Sequence, residues 1–118
     1  MTLSSYLYGQ NLECNRFKNG SFKIIDSETG TSFIERKGAR QCEITEGEKD
    51  STTFIVKWID DCTYTLTPTK ETLKKYQSLP DNATLTVRII ETQANSYTQI
   101  STSNFSDIKA TNEVIKVQ

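Results

Sequence analysis

The sequence predicts an all-β fold, an antiparallel meander of about eight short strands closed into a barrel, with one short helix at 69–79. Three observations carry this. Apolar and polar residues alternate in short runs along most of the chain, which is the strand period. Turn residues punctuate those runs, as at Asn19-Gly20, Gly30, Gly38, Asp60-Asp61 and Ala94-Asn95. Only one internal run, TPTKETLKKYQSLP, has helical character.

At 118 residues the chain is read as a single domain, 1–118, large enough to bury one core without help from metal. Residues 1–18 form an N-terminal arm or short helix, because Leu3, Tyr6 and Leu7 fall on one side at helical spacing. After Asn19-Gly20, SFKIID opens the alternation, and TSFIERK and ARQCEIT follow. A two-residue loop at Lys37-Gly38 would pair Arg36 with Ala39 and Glu35 with Arg40. It would set Phe33 opposite Cys42 and Thr31 opposite Ile44, placing apolar residues and opposite charges face to face.

The next hairpin is FIVKWIDDCTYTLT. A two-residue loop at Asp60-Asp61 would throw the apolar residues of its two strands onto opposite faces. A three-residue loop, Ile59-Asp60-Asp61, pairs Trp58 with Cys62, Val56 with Tyr64 and Phe54 with Leu66. All six large or apolar groups then share one face, while Ile55, Lys57, Thr63, Thr65 and Thr67 take the other. Burial of each large side chain is worth about 1.5–3 kcal/mol, so the odd loop is expected to win.

The helix follows, with Thr67 as its cap, Pro68 in the first position and Pro80 beyond its end. Leu73, Tyr76 and Leu79 form its stripe. In ATLTVRIIETQ, Leu85, Val87 and Ile89 share a face. SYTQISTS and KATNEVIKV complete the count, the last placing Val114 on one face and Ile115 and Val117 on the other. Eight consecutive strands with one apolar face bury it by closing, which also removes the edges.

Charged residues make up 25% and the formal net charge is −1, so nothing in the charge points to nucleic acid. No run approaches the ~20 apolar residues of a membrane helix. The opening MTLSSYLYGQ has neither a basic nor an apolar leader region, so Met1 is either a native start, implying the cytoplasm, or stands where a leader was removed. Of the three cysteines, an odd count leaves at least one thiol unpaired. They are either small apolar core residues, or Cys14 and Cys62 form a disulfide, which requires an oxidising compartment.

There is no histidine, so Ser-His-Asp and Cys-His sites are excluded, and the cysteine spacing fits no zinc pattern. Asp60-Asp61 is read as a turn rather than as a metal or acid–base pair. No phosphate-binding glycine loop is present. No catalytic residue, metal or cofactor is therefore assigned, and the chain is expected not to be an enzyme.

Cys14-x-x-Phe17-Lys18-x-Gly20-x-Phe22, Ile34-x-Arg36, Trp58-x-x-Asp61-Cys62-Thr63-Tyr64-x-Leu66 and Val114-Ile115-Lys116 together resemble a family of small bacterial β-meander proteins without established activity. Some of its members carry a "DNA topoisomerase IV" label, which a short near-neutral chain cannot support, since strand passage needs large machinery and a basic DNA track. Gly20-x-Phe22 also looks like a degenerate form of the Gly-x-Trp that opens lipocalin-like proteins. The resemblance implies a lipocalin-like barrel in the cell envelope, periplasm or secreted, and no catalytic residues. Cys42 stands where such a strand would carry an aliphatic residue. It is therefore expected to be a core thiol, with Cys14 and Cys62 as the pair for a disulfide.

Phe33, Phe54, Trp58 and Tyr64 are the aromatic groups expected on the inner face, either as plain core or as the wall of a cavity. Arg36 and Arg88 would orient a ligand there if they point inward, though an inward arginine more often closes a barrel end on backbone carbonyls or a carboxylate, and a solvent-facing one is commoner still. The helix is placed to plug or lid one end. The leading expectation is a protein that binds a small apolar or amphipathic ligand. The alternative is a structural or interaction module with a filled barrel.

Overall fold

In the computed structural model, which describes residues 12–118, every strand pairs with its sequence neighbours and the last returns to the first. The strands are β1 (Gly20–Asp26), β2 (Gly30–Lys37), β3 (Arg40–Thr45), β4 (Thr52–Asp60), β5 (Thr63–Pro68), β6 (Leu85–Thr92), β7 (Ser96–Ser103) and β8 (Ala110–Lys116). All pairs are antiparallel, and Phe22 opposite Lys116 closes the barrel. The predicted antiparallel meander of eight strands is the observed fold. The helical spacing read at Leu3, Tyr6 and Leu7 lies outside the described residues.

Gly20 shows why closure needs a glycine at that point. Its φ is 139°, and a Cβ there would sit 2.8 Å from the carbonyl oxygen of Gln118. That same carbonyl accepts from the Ser21 amide, so the chain end lies directly on the start of β1.

Both tested hairpins keep the expected sharing of faces but slide by two residues. Between β2 and β3 the turn is Gly38-Ala39, not Lys37-Gly38; Lys37 pairs with Arg40 and Phe33 with Ile44. Gly38 takes φ 59°, a conformation that suits glycine at a tight turn, and its amide donates to the Asn19 side chain. Between β4 and β5 the turn is Asp61-Cys62. Trp58 pairs with Tyr64 and Val56 with Leu66, and a bulge between Trp58 and Asp60 absorbs the extra residue. The bulged Ile59 is turned outward, and Asp60 accepts a hydrogen bond from the Cys62 amide at the tip. A side-chain–capped turn and a bulge thus replaced the three-residue loop. A slip of two preserves the pleat, so the burial argument could not distinguish the registers.

The helix α1 is shorter than expected, Lys70–Lys75 rather than 69–79. Its cap is Thr69, whose hydroxyl accepts from the Thr72 amide, and Pro68 ends β5 instead of opening the helix. Thr72, not Leu73, is its buried residue, and the Thr72 hydroxyl donates to the Thr53 carbonyl. β5 runs on through Pro68 because Phe54 pairs with it, so the cap falls at Thr69, two residues after the expected Thr67.

The core divides along the barrel axis. One cluster, at the end carrying a 3-10 turn at Cys14–Phe17, contains Phe17, Phe22, Ile34, Ile89, Tyr97 and Val114. The second contains Val56, Tyr64, Leu66 and Val87, with Phe54 and Leu85 packed against it. Trp58 touches both. Among the described residues no helix is long and apolar enough to cross a membrane.

Candidate functional site

The two ends of the barrel differ in kind. At the first, the 3-10 turn is a plug, fastened at several points around the rim. Cys14 is joined by a disulfide to Cys62 in the β4–β5 turn. The Arg16 guanidinium donates to the carbonyls of Gln93 and Ala94, and Lys116 Nζ donates to the Arg16 carbonyl at 2.8 Å. Phe17 is fully buried beneath.

Arg36 lies under this plug, 2% exposed. Its Nη1 donates to the Phe17 carbonyl at 2.8 Å, and its Nε to Gln41 Oε1 at 2.9 Å. Its Nη2 donates to the hydroxyls of Tyr64 (3.0 Å) and Tyr97 (2.9 Å). The Phe22 and Tyr64 rings each lie 4.7 Å from the guanidinium carbon. No carboxylate bonds to it among the described residues; the charge is solvated by neutral oxygens and ring faces. Burial, followed by the neighbouring Tyr97, pushes the Tyr64 phenol well above its ordinary value, so Tyr64 stays protonated and donates to Gln99 Oε1 at 3.3 Å. This is a barrel-end closure of the kind weighed for an inward arginine, made here on one backbone carbonyl and three neutral side-chain oxygens rather than on a carboxylate.

The other end is open. A pocket of about 310 Å³ lies at the mouth, beside α1 and the segment after β7. Its apolar wall is Phe54, Pro68, Leu79, Leu85 and Phe105. Its polar side carries Glu43, Glu48 and Tyr76. Glu43 comes from β3, opposite Ile34, between the Gln41–Arg36 layer and the mouth. Burial, then the nearby Glu48, raises its carboxyl above the ordinary value of 4.5, against an opposing pull from Arg36. Among the described residues no hydrogen bond reaches that carboxyl, and Arg36 spends its bonds on Phe17, Gln41 and the two tyrosines.

Of the residues expected to line a cavity, the pocket takes only Phe54. Arg36 and Tyr64 belong to the packed closed end, and Trp58 packs against Tyr64 at a tilt of 45° with ring centroids 4.6 Å apart, covered by Lys18. Phe33 is a correction: it faces outward and is 47% exposed. Ile34 and Arg36 occupy the interior of β2, and the pleat sends the residue between them and the one before them out. Arg88 is likewise outside, because Val87 and Ile89 point in. Cys42 is also corrected. It is a free, half-buried thiol on the outer face of β3, since its neighbours Gln41 and Glu43 are the inward residues.

Glu43, Glu48, Tyr76 and Phe105 were not read from the sequence as site residues. Nothing in RQCEIT flags Glu43, because the apolar residues of that strand, Cys42 and Ile44, mark the outer face rather than the inner one. No family model, curated protein or solved structure matches this chain.

Proposed function

We propose that this chain is a non-enzymatic binding protein that takes a small apolar or amphipathic molecule into the mouth of its barrel, and that it works in an oxidising compartment such as the cell envelope. The observation that carries the reading is the half-open pocket of about 310 Å³, walled by Phe54, Leu85 and Phe105 and edged by polar groups. That combination, an apolar wall with a few orienting polar groups, suits small-molecule recognition, and the volume is at the low end of such sites. The Cys14–Cys62 disulfide supports the compartment, since such bridges persist where thiols are not kept reduced. Kinship with the lipocalin-like family belongs to the same proposal.

The competing reading is an interaction module with a filled barrel. It is favoured by the closed half, where Tyr64, Tyr97, Phe17 and Phe22 are each at most 1% exposed. Titration with the neutral fluorophore N-phenyl-1-naphthylamine separates the two. The binding reading expects saturable enhancement with one molecule per chain. Thr45→Trp, which fills the mouth, should abolish it, while Trp58→Phe, outside the pocket, should leave it intact; melting curves confirm that both variants fold. No saturable signal in the wild type, or a signal that survives Thr45→Trp and disappears in Trp58→Phe, defeats the proposal.

A further inference from the structure

The pocket's charge is one-sided. Among the described residues, Glu43 and Glu48 are the only charged side chains that line it, and both are acidic. Two cations near it are engaged with other groups: Arg36 in its four bonds at the closed end, and Lys75 with the Asp50 carbonyl and the Tyr76 ring. Glu43 is therefore a carboxyl held partly out of water, at the inner end of a half-apolar pocket, with no donor supplied among the described residues. Withdrawing a carboxylate from water without a donor is unfavourable, and a ligand that brings donors and positive charge reverses that. Two phenylalanines at the mouth, Phe54 and Phe105, also line the pocket, and aromatic rings favour a cation. A carboxylate ligand would meet two like charges and no partner.

Building on the proposed pocket, we infer that its ligand is an amphiphile with a primary ammonium head, the ammonium donating to the Glu43 carboxylate and the hydrocarbon lying along Phe54, Leu85 and Phe105. The ammonium group suits Glu43 because it has three donors on one compact charge and can enter a narrow site. Glu48, nearer the mouth, adds attraction without needing direct contact.

Three ligands of one chain length test this: n-octylamine, 1-octanol and octanoate, each displacing N-phenyl-1-naphthylamine from the intact protein at pH 8 and low salt. Octylammonium should bind at least about tenfold tighter than octanol, and octanoate more weakly than octanol, as expected for charge-assisted against neutral hydrogen bonds. Glu43→Gln should bring octylammonium to within about threefold of octanol while leaving octanol unchanged, and Glu43→Asp should keep part of the preference. Equal binding of all three, preference for octanoate, or a preference that persists in Glu43→Gln overturns the ammonium assignment. In those cases octanol displacement in the wild type keeps the pocket reading alive. If none of the three competes, the pocket reading fails and the inference with it.

Discussion

Arg36 on β2 and Tyr97 on β7 are 61 residues apart in sequence, and a 2.9 Å hydrogen bond joins them across the barrel interior. The same guanidinium nitrogen reaches Tyr64 on β5, and the two phenols lie 3.0 Å apart, so one cation ties three strands to the plug above them. Such a network is worth most when every member is satisfied. Arg36→Met should destabilise the fold by about 3–5 kcal/mol, because it removes a donor from Tyr64, Tyr97, Gln41 and the Phe17 carbonyl together. Tyr97→Phe, which removes one oxygen, should cost about 1–2 kcal/mol. Arg36→Lys should remain close to the methionine variant, since an ammonium cannot reproduce the planar fork. Urea denaturation of the three variants checks the order.

The disulfide closes a sequence separation of 48 residues between the plug and the β4–β5 turn. Its chain-entropy contribution is about 4 kcal/mol. Cys14→Ala/Cys62→Ala should lose much of this in denaturant melts. Cys42→Ala, on the outer face, should shift stability by less than about 1 kcal/mol and leave sensitivity to reductant unchanged. A double variant as stable as the wild type would show that the other plug contacts suffice.

Two adjacent residues on β2 provide a test of the pleat. Ile34 is 3% exposed and Phe33 47%. Ile34→Ala should therefore cost about 2–5 kcal/mol. The larger truncation, Phe33→Ala, should cost less than about 1 kcal/mol, because half of that ring is already in water. Reversal of this order in urea melts would place the interior on the other face.

Glu43 should leave a signature in stability against pH. Its folded-state carboxyl titrates above the ordinary value of 4.5, with burial the main cause, Glu48 adding to it and Arg36 opposing it. Tyr64, pushed well above its ordinary value by burial and by Tyr97, remains a neutral phenol across this range. The folded state binds this proton more tightly than the unfolded chain does. The resulting stability is fully present below about pH 4.5 and is lost as pH rises through the raised value. Glu43→Gln should therefore gain on the wild type in denaturant midpoint between acid and neutral pH, and the gap should level off once Glu43 is ionised. A gap that does not change over that interval would show that the carboxyl is not held out of water.

Much of the fold was legible in alternation alone. Val56, Tyr64, Leu66, Val87 and Ile89 are all inward, as the pattern required, whereas in the last strand the lone Val114 is the inward residue and Val117 is 51% exposed. Registers were not, since sliding a hairpin by two residues keeps every side chain on its face, and the choice between Asp61-Cys62 and a longer loop lay with a bulge. The face of β2 was not legible either. TSFIERK has an apolar residue on each side, Phe33 and Ile34, and the arginine that decides the matter reads as a surface residue until its partners are known.

The sequence by itself determined the class of this protein: short alternating runs broken by turn residues can bury their apolar face only by closing on themselves. The tertiary structure decided which end is sealed and which is open. The groups around Arg36, Glu43 and Cys14 come from distant strands and turns, so neither the satisfied cation nor the half-buried carboxyl exists until the barrel has brought them together.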